Sequence, residues 1–246
     1  MMLVLTSTLS IAGGKTDSVQ AIVSRPGYHL KLVARMHSMG MFTYGGYVAS
    51  DYAAADINIT YDRGSWGMMF FKAADMYDHQ SLNNFSLLLL YHTFHLGKRL
   101  SFTPYAGFSA EQCHQIADKG SDVTMVFTTS WKPTQRLTLD HSAMVSNLAL
   151  ERNHMDWTNR FRLLYTGRHL DAGIMLWHNN RAFDPVNYMS TGFNLAWSRI
   201  QMAPRVLLST GITALWTVQS SDEVQIPTRH GLMFSIACTF DGSTVK

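Results

Sequence analysis

The chain has 246 residues, a formal net charge of +3 and a hydrophobic fraction of 46%. Its mean hydropathy of −0.04 is that of an ordinary soluble protein. A membrane β-barrel gives the same average, because lipid-facing apolar residues alternate with lumen-facing polar residues along its strands. After the N-terminal segment no run of apolar residues is long enough for a spanning helix, which excludes a helical membrane protein. The small, evenly spread charge argues against nucleic acid as a partner.

The N-terminal segment, residues 1–14, is short and apolar and ends in small residues. Ala12, Gly13 and Gly14 resemble a signal-peptidase cleavage site, so this segment is predicted to be a secretory signal peptide. No positive residue precedes the apolar run, which keeps a first buried strand as the alternative. Residues 15–26 are polar and end in a proline that cannot join a strand ladder, and we expect a periplasmic tail there.

The first predicted strand, residues 28–37, alternates without exception. Its even-numbered residues carry no charge, whereas the odd-numbered residues include His29, Lys31 and Arg35. Because successive side chains of a strand point to opposite faces, one face is apolar and the other is largely basic. For this strand taken alone, a soluble β-sandwich whose basic face points toward water is the alternative.

Residues 57–71 predict two strands joined by a polar turn at residues 62–65. Gly64 can take the positive φ that a tight hairpin needs. We expect Tyr61 and Trp66 to face each other across this turn, at a lipid–water interface. The face of the first strand opposite its isoleucines carries Asp56, Asn58 and Thr60.

Twelve such strands are predicted, each about as long as a tilted strand that crosses a bilayer. They are 28–37, 55–61, 66–74, 84–94, 100–110, 123–131, 137–146, 157–165, 170–178, 188–197, 206–216 and 231–240. Short connections at 62–65, 96–99, 132–136, 166–169 and 198–205 alternate with longer ones at 38–54, 75–83, 111–122, 148–156, 179–187 and 218–228. Periplasmic turns and extracellular loops alternate in this way, and an even strand number lets the last strand pair with the first. The sequence therefore predicts an all-β fold, a closed antiparallel transmembrane β-barrel with an up-and-down meander, over residues 27–241, followed by a tail at 242–246.

Aromatic residues beside the connections predict one interfacial belt at each end of the barrel, with core aromatics as the alternative. Next to the short turns, the predicted interfacial residues are Tyr61, Trp66, Tyr91, Trp131, Tyr165 and Trp197. Near the long loops they are Phe85, Phe108, Trp157, Trp177, Tyr188 and Trp216.

The last strand alternates apolar with small or polar residues and ends at Phe240, which resembles the assembly signal of outer-membrane barrels, although six residues follow it here. Residues 28–240 are similar in pattern to the small outer-membrane β-barrels of Gram-negative bacteria. The segments Y-D-R-G-S-W-G and W-H-N-N-R-A-F-D resemble uncharacterised barrels of Bacteroidetes-type bacteria. The resemblance implies an integral protein of the outer membrane, in contact with membrane lipids.

His141 and Ser142 are the candidate catalytic pair. Barrels resembling outer-membrane phospholipases and lipid A deacylases place His and Ser two residues apart on one strand, on the same face. Here the two residues are adjacent and point to opposite faces, whereas a nucleophile must lie within hydrogen-bond reach of its base. The pair therefore fails as a catalytic site unless another strand supplies the partner. We therefore predict no enzymatic activity, and a lipid hydrolase is the least favoured alternative.

Metal and cofactor sites are not predicted. His92 and His95 are three residues apart on a strand and point to opposite faces. The acidic loop residues lack the spacing of a calcium loop. Cys113 falls in a predicted loop and Cys238 in a predicted strand, a pattern that does not indicate zinc and does not favour a disulfide.

The polar face of the predicted barrel supplies the candidate functional residues, which we expect to line the lumen. They are His29, Lys31, Arg35, Asp56, Asn58, Thr60, Asp140, Arg160 and Arg162. Charges away from bulk solvent need partners or water, which leaves two alternatives. The side chains line a narrow pore that passes a small polar or anionic solute, or they cross-link into a plug and the barrel is a scaffold or subunit that binds an outer-membrane protein. The pore is favoured because porins are the commoner case.

Overall fold

The computed structural model describes residues 27–42, 45–76, 84–113, 116–148, 155–182 and 185–244. Its strands are β1 (Tyr28–His37), β2 (Gly40–Phe42), β3 (Tyr47–Ser50), β4 (Ala54–Arg63), β5 (Trp66–Asp75), β6 (Asn84–His92), β7 (Phe94–Leu96), β8 (Leu100–Cys113), β9 (Ile116–Trp131), β10 (Leu137–Ser146), β11 (Asp156–Thr166), β12 (Leu170–Arg181), β13 (Val186–Ala203), β14 (Val206–Ser220) and β15 (His230–Thr244). The predicted signal peptide and periplasmic tail lie outside the described residues. In the part of the chain that the structure describes, no helix has the length and hydropathy needed to span a bilayer.

The main sheet closes on itself. Its order is β6-β5-β4-β1-β15-β14-β13-β12-β11-β10-β9-β8-β7, and β6 also pairs with β8. β6 and β7 are two parts of one wall strand, since both pair with β8 on either side of Thr93. The wall therefore has twelve antiparallel strands, which confirms the predicted fold class. Among the described residues, closure leaves no strand edge with unpaired backbone groups in the wall.

The first and last strands close the barrel with a regular ladder from Tyr28–Thr244 to His37–Ser235. The ladder continues past Asp241, the predicted end of the barrel, because β1 begins at Tyr28 and offers partners up to Thr244. The first part of the predicted C-terminal tail is therefore strand. The remaining residues of the tail, 245–246, lie outside the described residues.

Alternation along the strands separates an apolar outer surface from an inner lining. Leu232, Phe234 and Ile236 of β15 are between 53% and 58% exposed, whereas the residues between them point inward. An apolar outer band is what a barrel presents to lipid. Lys72 shares the outer face of β5, and its Nζ donates a hydrogen bond of 2.9 Å to Ser86 Oγ. A long lysine stem can lie along an apolar surface in this way while its charged end reaches a polar partner.

The first hairpin turn is tighter than predicted, because β4 ends at Arg63 and β5 begins directly opposite it at Trp66. Gly64 has a φ of +64°, as the sequence predicts. Tyr61 does not face Trp66, which corrects the predicted aromatic pair. Its ring stacks on Tyr28 of the neighbouring strand with a centroid distance of 6.2 Å.

The predicted connection at 198–205 is mostly strand. β13 runs through it with a register shift between Trp197 and Ile200, and Arg199 there has a φ of +61°. The Arg199 guanidinium donates to the Asp171 carboxylate at 2.7 Å, which ties the bulge to the adjacent hairpin. A β-bulge and a turn both place a polar residue at positive φ, so sequence alone did not separate them.

The strands also extend further into the predicted loops than expected. β8 and β9 continue to Cys113 and from Ile116, so the backbone of Cys113 is in a strand and not in a loop. β12, β13 and β14 likewise extend into the predicted loops at 179–187 and 218–228. Antiparallel pairing continues wherever both strands have free backbone groups, which does not require an apolar pattern.

Candidate functional site in the barrel lumen

A cavity of about 480 Å³ lies inside the barrel. Its lining includes four cationic side chains, Lys31, Arg35, Arg160 and Arg162, and the carboxylates Asp56 and Asp75. In the ring of twelve strands β1 and β11 are five places apart, so the two pairs of cations approach the cavity from nearly opposite sides. Five of the nine predicted lumen residues thus meet at one cavity.

Asp56 is the centre of a hydrogen-bonded network on this cavity wall, and its side chain is only 9% exposed. Arg35 Nε donates to Asp56 Oδ1 and His37 Nε2 lies against Asp56 Oδ2, both at 2.7 Å. His37 Nδ1 is in turn 2.7 Å from Ser235 Oγ on the last strand. Sequence reasoning missed His37 and Ser235 as site residues, although His37 shares the alternation of Lys31 and Arg35.

The other predicted charges pair differently. Arg162 donates to Asp140 Oδ2 at 2.8 Å, across directly opposed positions of β11 and β10. The Lys31 side chain forms no hydrogen bond or ion pair with any residue that the structure describes. Arg160 also lines the cavity and has a bonding partner. Two of these four cations, Arg35 and Arg162, are therefore neutralised by carboxylates, and the charge of Lys31 is available to a solute.

Three predicted lumen residues lie away from the cavity, nearer the end of the barrel with the short turns. His29 Nε2 is 2.7 Å from Asp241 Oδ1, and its Nδ1 is 3.5 Å from Asp62 Oδ2. Thr60 Oγ1 donates to Asn58 Oδ1 at 3.4 Å. These groups share the inner face but satisfy one another locally.

Tyr91 points into the lumen and not toward the membrane interface, which corrects that prediction. Its hydroxyl donates to the Asp62 carboxylate, and its ring lies 4.9 Å from that of Tyr105. Residues 87–90 are all leucine, so the pattern of this strand does not indicate which residues point inward. The structure supplies the phase, because Leu87 and Leu89 are fully buried while Leu88 and Leu90 are exposed outside.

The other predicted belt residues divide between the two surfaces. On the outer surface near the short turns, between 40% and 65% exposed, are Trp66, Trp131, Tyr165 and Trp197. Near the loops, the residues exposed outside are Phe108, Trp157 and Trp216, and the buried ones are Phe85, Trp177 and Tyr188. The second belt is therefore only half correct, since the three buried residues alternate with outward-facing neighbours and pack inside the barrel.

One side of the lumen is apolar and packed. Phe71, Phe85, Leu87, Leu89 and Val126 form a buried cluster on the inner faces of β5, β6 and β9. Tyr105 of β8 and Met144 of β10 pack against it. This inner wall fills part of the barrel, so the open space lies toward the strands that carry the charges. We call it the apolar inner wall. We call the charged inner surface the polar inner wall, which consists of two parts, the inner faces of β15, β1 and β4 and, across the cavity, that of β11.

Residues 38–54, predicted as an extracellular loop, contain the hairpin β2–β3, which folds into the barrel. Tyr47 and Val48 are 2% and 3% exposed. Val48 packs with Trp177 and Leu215 of the inner face. Tyr47 and other hairpin residues line the cavity. The hairpin therefore narrows the lumen from the end with the long loops.

Hydrogen bonds hold this hairpin to the barrel wall. Arg229 Nη2 donates to the Val48 carbonyl at 2.6 Å, and Asn179 Nδ2 donates to the Gly45 carbonyl at 2.9 Å. Gly46, at a φ of +70°, lies against the Trp177 ring, where a Cβ atom would collide. These contacts fix the β2–β3 hairpin inside the barrel, where it forms a constriction.

The candidate catalytic pair remains divided. Ser142 is inside, 4% exposed, with its Oγ 3.0 Å from Thr128 Oγ1. His141 stacks on Phe161, which is 52% exposed on the outer surface, at a centroid distance of 4.4 Å. The two side chains lie on opposite faces of the wall, as their adjacency predicts.

His92 belongs to an aromatic cluster. The His92 ring lies 4.6 Å from Trp66 and 4.4 Å from Phe94. Within the described ranges, no three His, Cys, Asp or Glu side chains come close enough to bind a metal ion.

A closed antiparallel barrel with an apolar outer surface and a polar cavity is the architecture of outer-membrane β-barrels. Solved porins share this fold. The KdgM porin is similar with a TM-score of 0.55 at 8% identity, and the NanC porin with a TM-score of 0.56 at 10% identity; each comparison covers 86% of this chain and 98% of the other. A KdgM porin in complex with disordered oligogalacturonate is similar with a TM-score of 0.53 at 9% identity, with the same coverage. No protein-family model and no curated protein matches the chain.

Proposed function

We propose that this protein is an integral outer-membrane barrel that acts as a small, passive channel with a preference for anions. The observation that carries the proposal is the charge at the cavity. Four cationic side chains face two carboxylates of the lining, and a third carboxylate, Asp140, pairs with Arg162, which leaves a net positive charge. Inside a narrow lumen such an excess raises the local concentration of anions and lowers that of cations. The cations stand on nearly opposite sides of the cavity, so an anion in transit meets positive charge on both.

The constriction defines the size of the solute. The β2–β3 hairpin and the apolar inner wall narrow the lumen to a cavity of about 480 Å³, which is within the range of about 300–1,000 Å³ for small-molecule sites. We infer that a small polar or anionic solute passes, and that large folded or polymeric substrates require a wider lumen. An acidic saccharide, such as the oligogalacturonate in the complex of the similar porin, belongs to the same broad class of polar anions.

Conductance in planar lipid bilayers tests this function. We expect discrete current steps and, in a potassium chloride gradient, a reversal potential on the chloride side of zero. Lys31→Glu and Arg162→Glu should shift the reversal potential toward potassium, because each reverses one charge of the lumen. Lys98→Glu, which changes the same charge in an exposed turn, is the matched control.

The absence of current steps from correctly folded protein would contradict the channel. Unchanged selectivity in both lumen variants would contradict the role of the cavity charges.

The alternative is a non-conducting barrel that serves as a scaffold or binds an outer-membrane protein through its loops. The buried apolar cluster of the inner wall favours it, because part of the lumen is filled by packed side chains. Current steps separate the two functions. Co-purification of a defined outer-membrane protein, together with silent bilayers, would favour the scaffold.

We propose no enzymatic step for this barrel. A hydrolase that uses His141 as base and Ser142 as nucleophile needs them within reach of each other, and they lie on opposite faces of the wall. Lipid chromatography of membranes that carry His141→Ala or Ser142→Ala should match the parent protein. From its sequence, we also propose that the chain resembles barrels of Bacteroidetes-type bacteria.

A further inference from the structure

The cavity is lined by both charged and apolar side chains, a combination that a simple ion channel does not require. Besides the cations, the cavity is lined by the aromatic rings of Phe71 and Phe85 and by the apolar side chains of Met175 and Met233. The two phenylalanine rings lie 5.9 Å apart at an interplanar angle of 53°. Charged and apolar side chains therefore line the same cavity.

We propose that this cavity binds amphipathic monoanions, in which one carboxylate or sulfonate group is attached to a compact apolar group such as an aromatic ring. The inference rests on the proposed function and narrows its class of solute. It predicts that such anions bind more tightly than equally charged anions whose remaining atoms are all hydroxylated.

The charged part of the ligand has a defined partner. Lys31 lines the cavity and forms no ion pair with any described residue, so its ammonium group can accept an anion without first losing a protein partner. Arg35 and Arg162 are already bonded to carboxylates, at 2.7 Å and 2.8 Å. They add long-range attraction, whereas direct contact with the anion falls to Lys31.

The apolar part has a separate partner on another part of the wall. Phe71 and Phe85 belong to β5 and β6, two and three places from β1 around the barrel. Both are largely buried, at 9% and 5% exposure, and are held by their neighbours in the apolar inner wall. A rigid apolar surface that already lacks water on one side binds an apolar group without loss of its own side-chain freedom.

The separation of these two surfaces gives selectivity. A small inorganic anion contacts the cations but leaves the aromatic surface without a partner. A neutral aromatic molecule contacts the rings but gains nothing from Lys31. A hydroxylated anion of the same charge must give up hydrogen bonds to water where it meets the rings, which is unfavourable.

Calorimetric titration of the full-length protein, folded in detergent, tests the inference independently of conduction. The probes are benzoate, gluconate as the hydroxylated anion, and benzyl alcohol as the neutral aromatic. Burial of one face of a benzoate ring should make benzoate bind about tenfold more tightly than gluconate. Benzyl alcohol should bind at least about tenfold more weakly than benzoate, since it lacks the charge.

Two substitutions of Phe71 supply the matched variants. Phe71→Leu keeps an apolar side chain and should retain most of the benzoate affinity, whereas Phe71→Gln should bring it close to that of gluconate. Lys31→Gln should weaken benzoate and gluconate by a similar factor. Folding of each variant is checked by the heat-dependent shift in electrophoretic mobility that a closed barrel shows.

Equal affinities for benzoate and gluconate in the parent protein would overturn the inference. So would a benzoate affinity that does not change in folded Phe71→Gln. If the calorimetric preference fails while the bilayers show anion-selective steps, the proposed channel stands and only the solute class is wrong. Silent bilayers, by contrast, overturn the proposed channel, and the titration still decides whether the binding site exists.

Discussion

The polar and apolar inner walls face the same lumen, yet they behave as different kinds of surface. On the polar inner wall, Arg35, Asp56 and His37 are linked through hydrogen bonds and border open space. On the apolar inner wall, Leu87 and Leu89 are fully buried and pack as in the core of a soluble protein. Inward direction alone therefore does not make a residue of a barrel pore-lining.

The difference has an energetic meaning. Apolar side chains that pack against one another inside the barrel stabilise it by removing apolar area from water. The charged side chains of the polar inner wall stabilise it little, because each pair gives up hydration for a partner. The packed part of the apolar inner wall thus holds the barrel in shape, while the polar inner wall and the cavity-lining Phe71 and Phe85 are available to a solute.

A carboxylate introduced into each wall gives the largest expected contrast. Leu89→Asp leaves a cavity and an unpaired charge in a fully buried position, and should lower the free energy of unfolding by about 3–5 kcal/mol. Thr60→Asp, on the polar inner wall directly opposite Lys31 in the ladder, should change it by less than about 1 kcal/mol. Denaturant unfolding followed by tryptophan fluorescence measures both. Equal losses would mean that the two walls are packed alike.

Removal of Asp56 tests the hydrogen-bonded network of the polar inner wall. Asp56→Ala leaves Arg35 and His37 without their acceptor, and should lower the free energy of unfolding by about 1–3 kcal/mol. It should also strengthen the preference for chloride in bilayers, because a negative charge leaves the cavity. Asp51→Ala is the control, since Asp51 is 74% exposed and 3.5 Å from its partner Arg229. A weaker chloride preference in Asp56→Ala would contradict the assignment of this wall to the pore.

The smallest expected effect concerns the β2–β3 hairpin. Arg229→Ala removes the donor to the Val48 carbonyl, and should lower the local stability of the hairpin by about 1 kcal/mol while the unfolding of the barrel is unchanged. Hydrogen exchange of the amides in β3 measures this, and current noise in bilayers should rise in parallel. Arg136→Ala, in an exposed turn, is the control. Exchange that is equally slow in both variants would show that side-chain packing alone holds the hairpin.

Much of the fold follows from alternation in the sequence. The bounds of β1 and β10 agree with the predicted strands 28–37 and 137–146, and the turn at Gly64 has the predicted positive φ. The alternation of short and long connections is also correct in outline, except at the predicted long loop 111–122, where β8 runs to Cys113 and β9 begins at Ile116. These features are local, because side-chain direction and turn geometry depend on neighbouring residues.

The candidate site was predictable only in part. Lys31, Arg35 and Arg162 carry charges in a regular alternating pattern, and this pattern is enough to mark them as inward-facing. No such pattern indicates the direction of Tyr91, because the four leucines that precede it make both faces of the strand apolar. Nothing in residues 38–54 indicates that the hairpin β2–β3 folds into the barrel, since its position depends on Trp177 and Arg229, far away in the chain.

Sequence by itself determined that the chain alternates, how often it turns and which residues carry charge toward the inside, because these properties are set between near neighbours. Only the tertiary structure decided which inward residues meet across the barrel, which are packed away from water, and where a loop returns to narrow the lumen. Those outcomes depend on contacts between strands that are distant in sequence. An alternating pattern gives the direction of each side chain, but it does not specify those contacts.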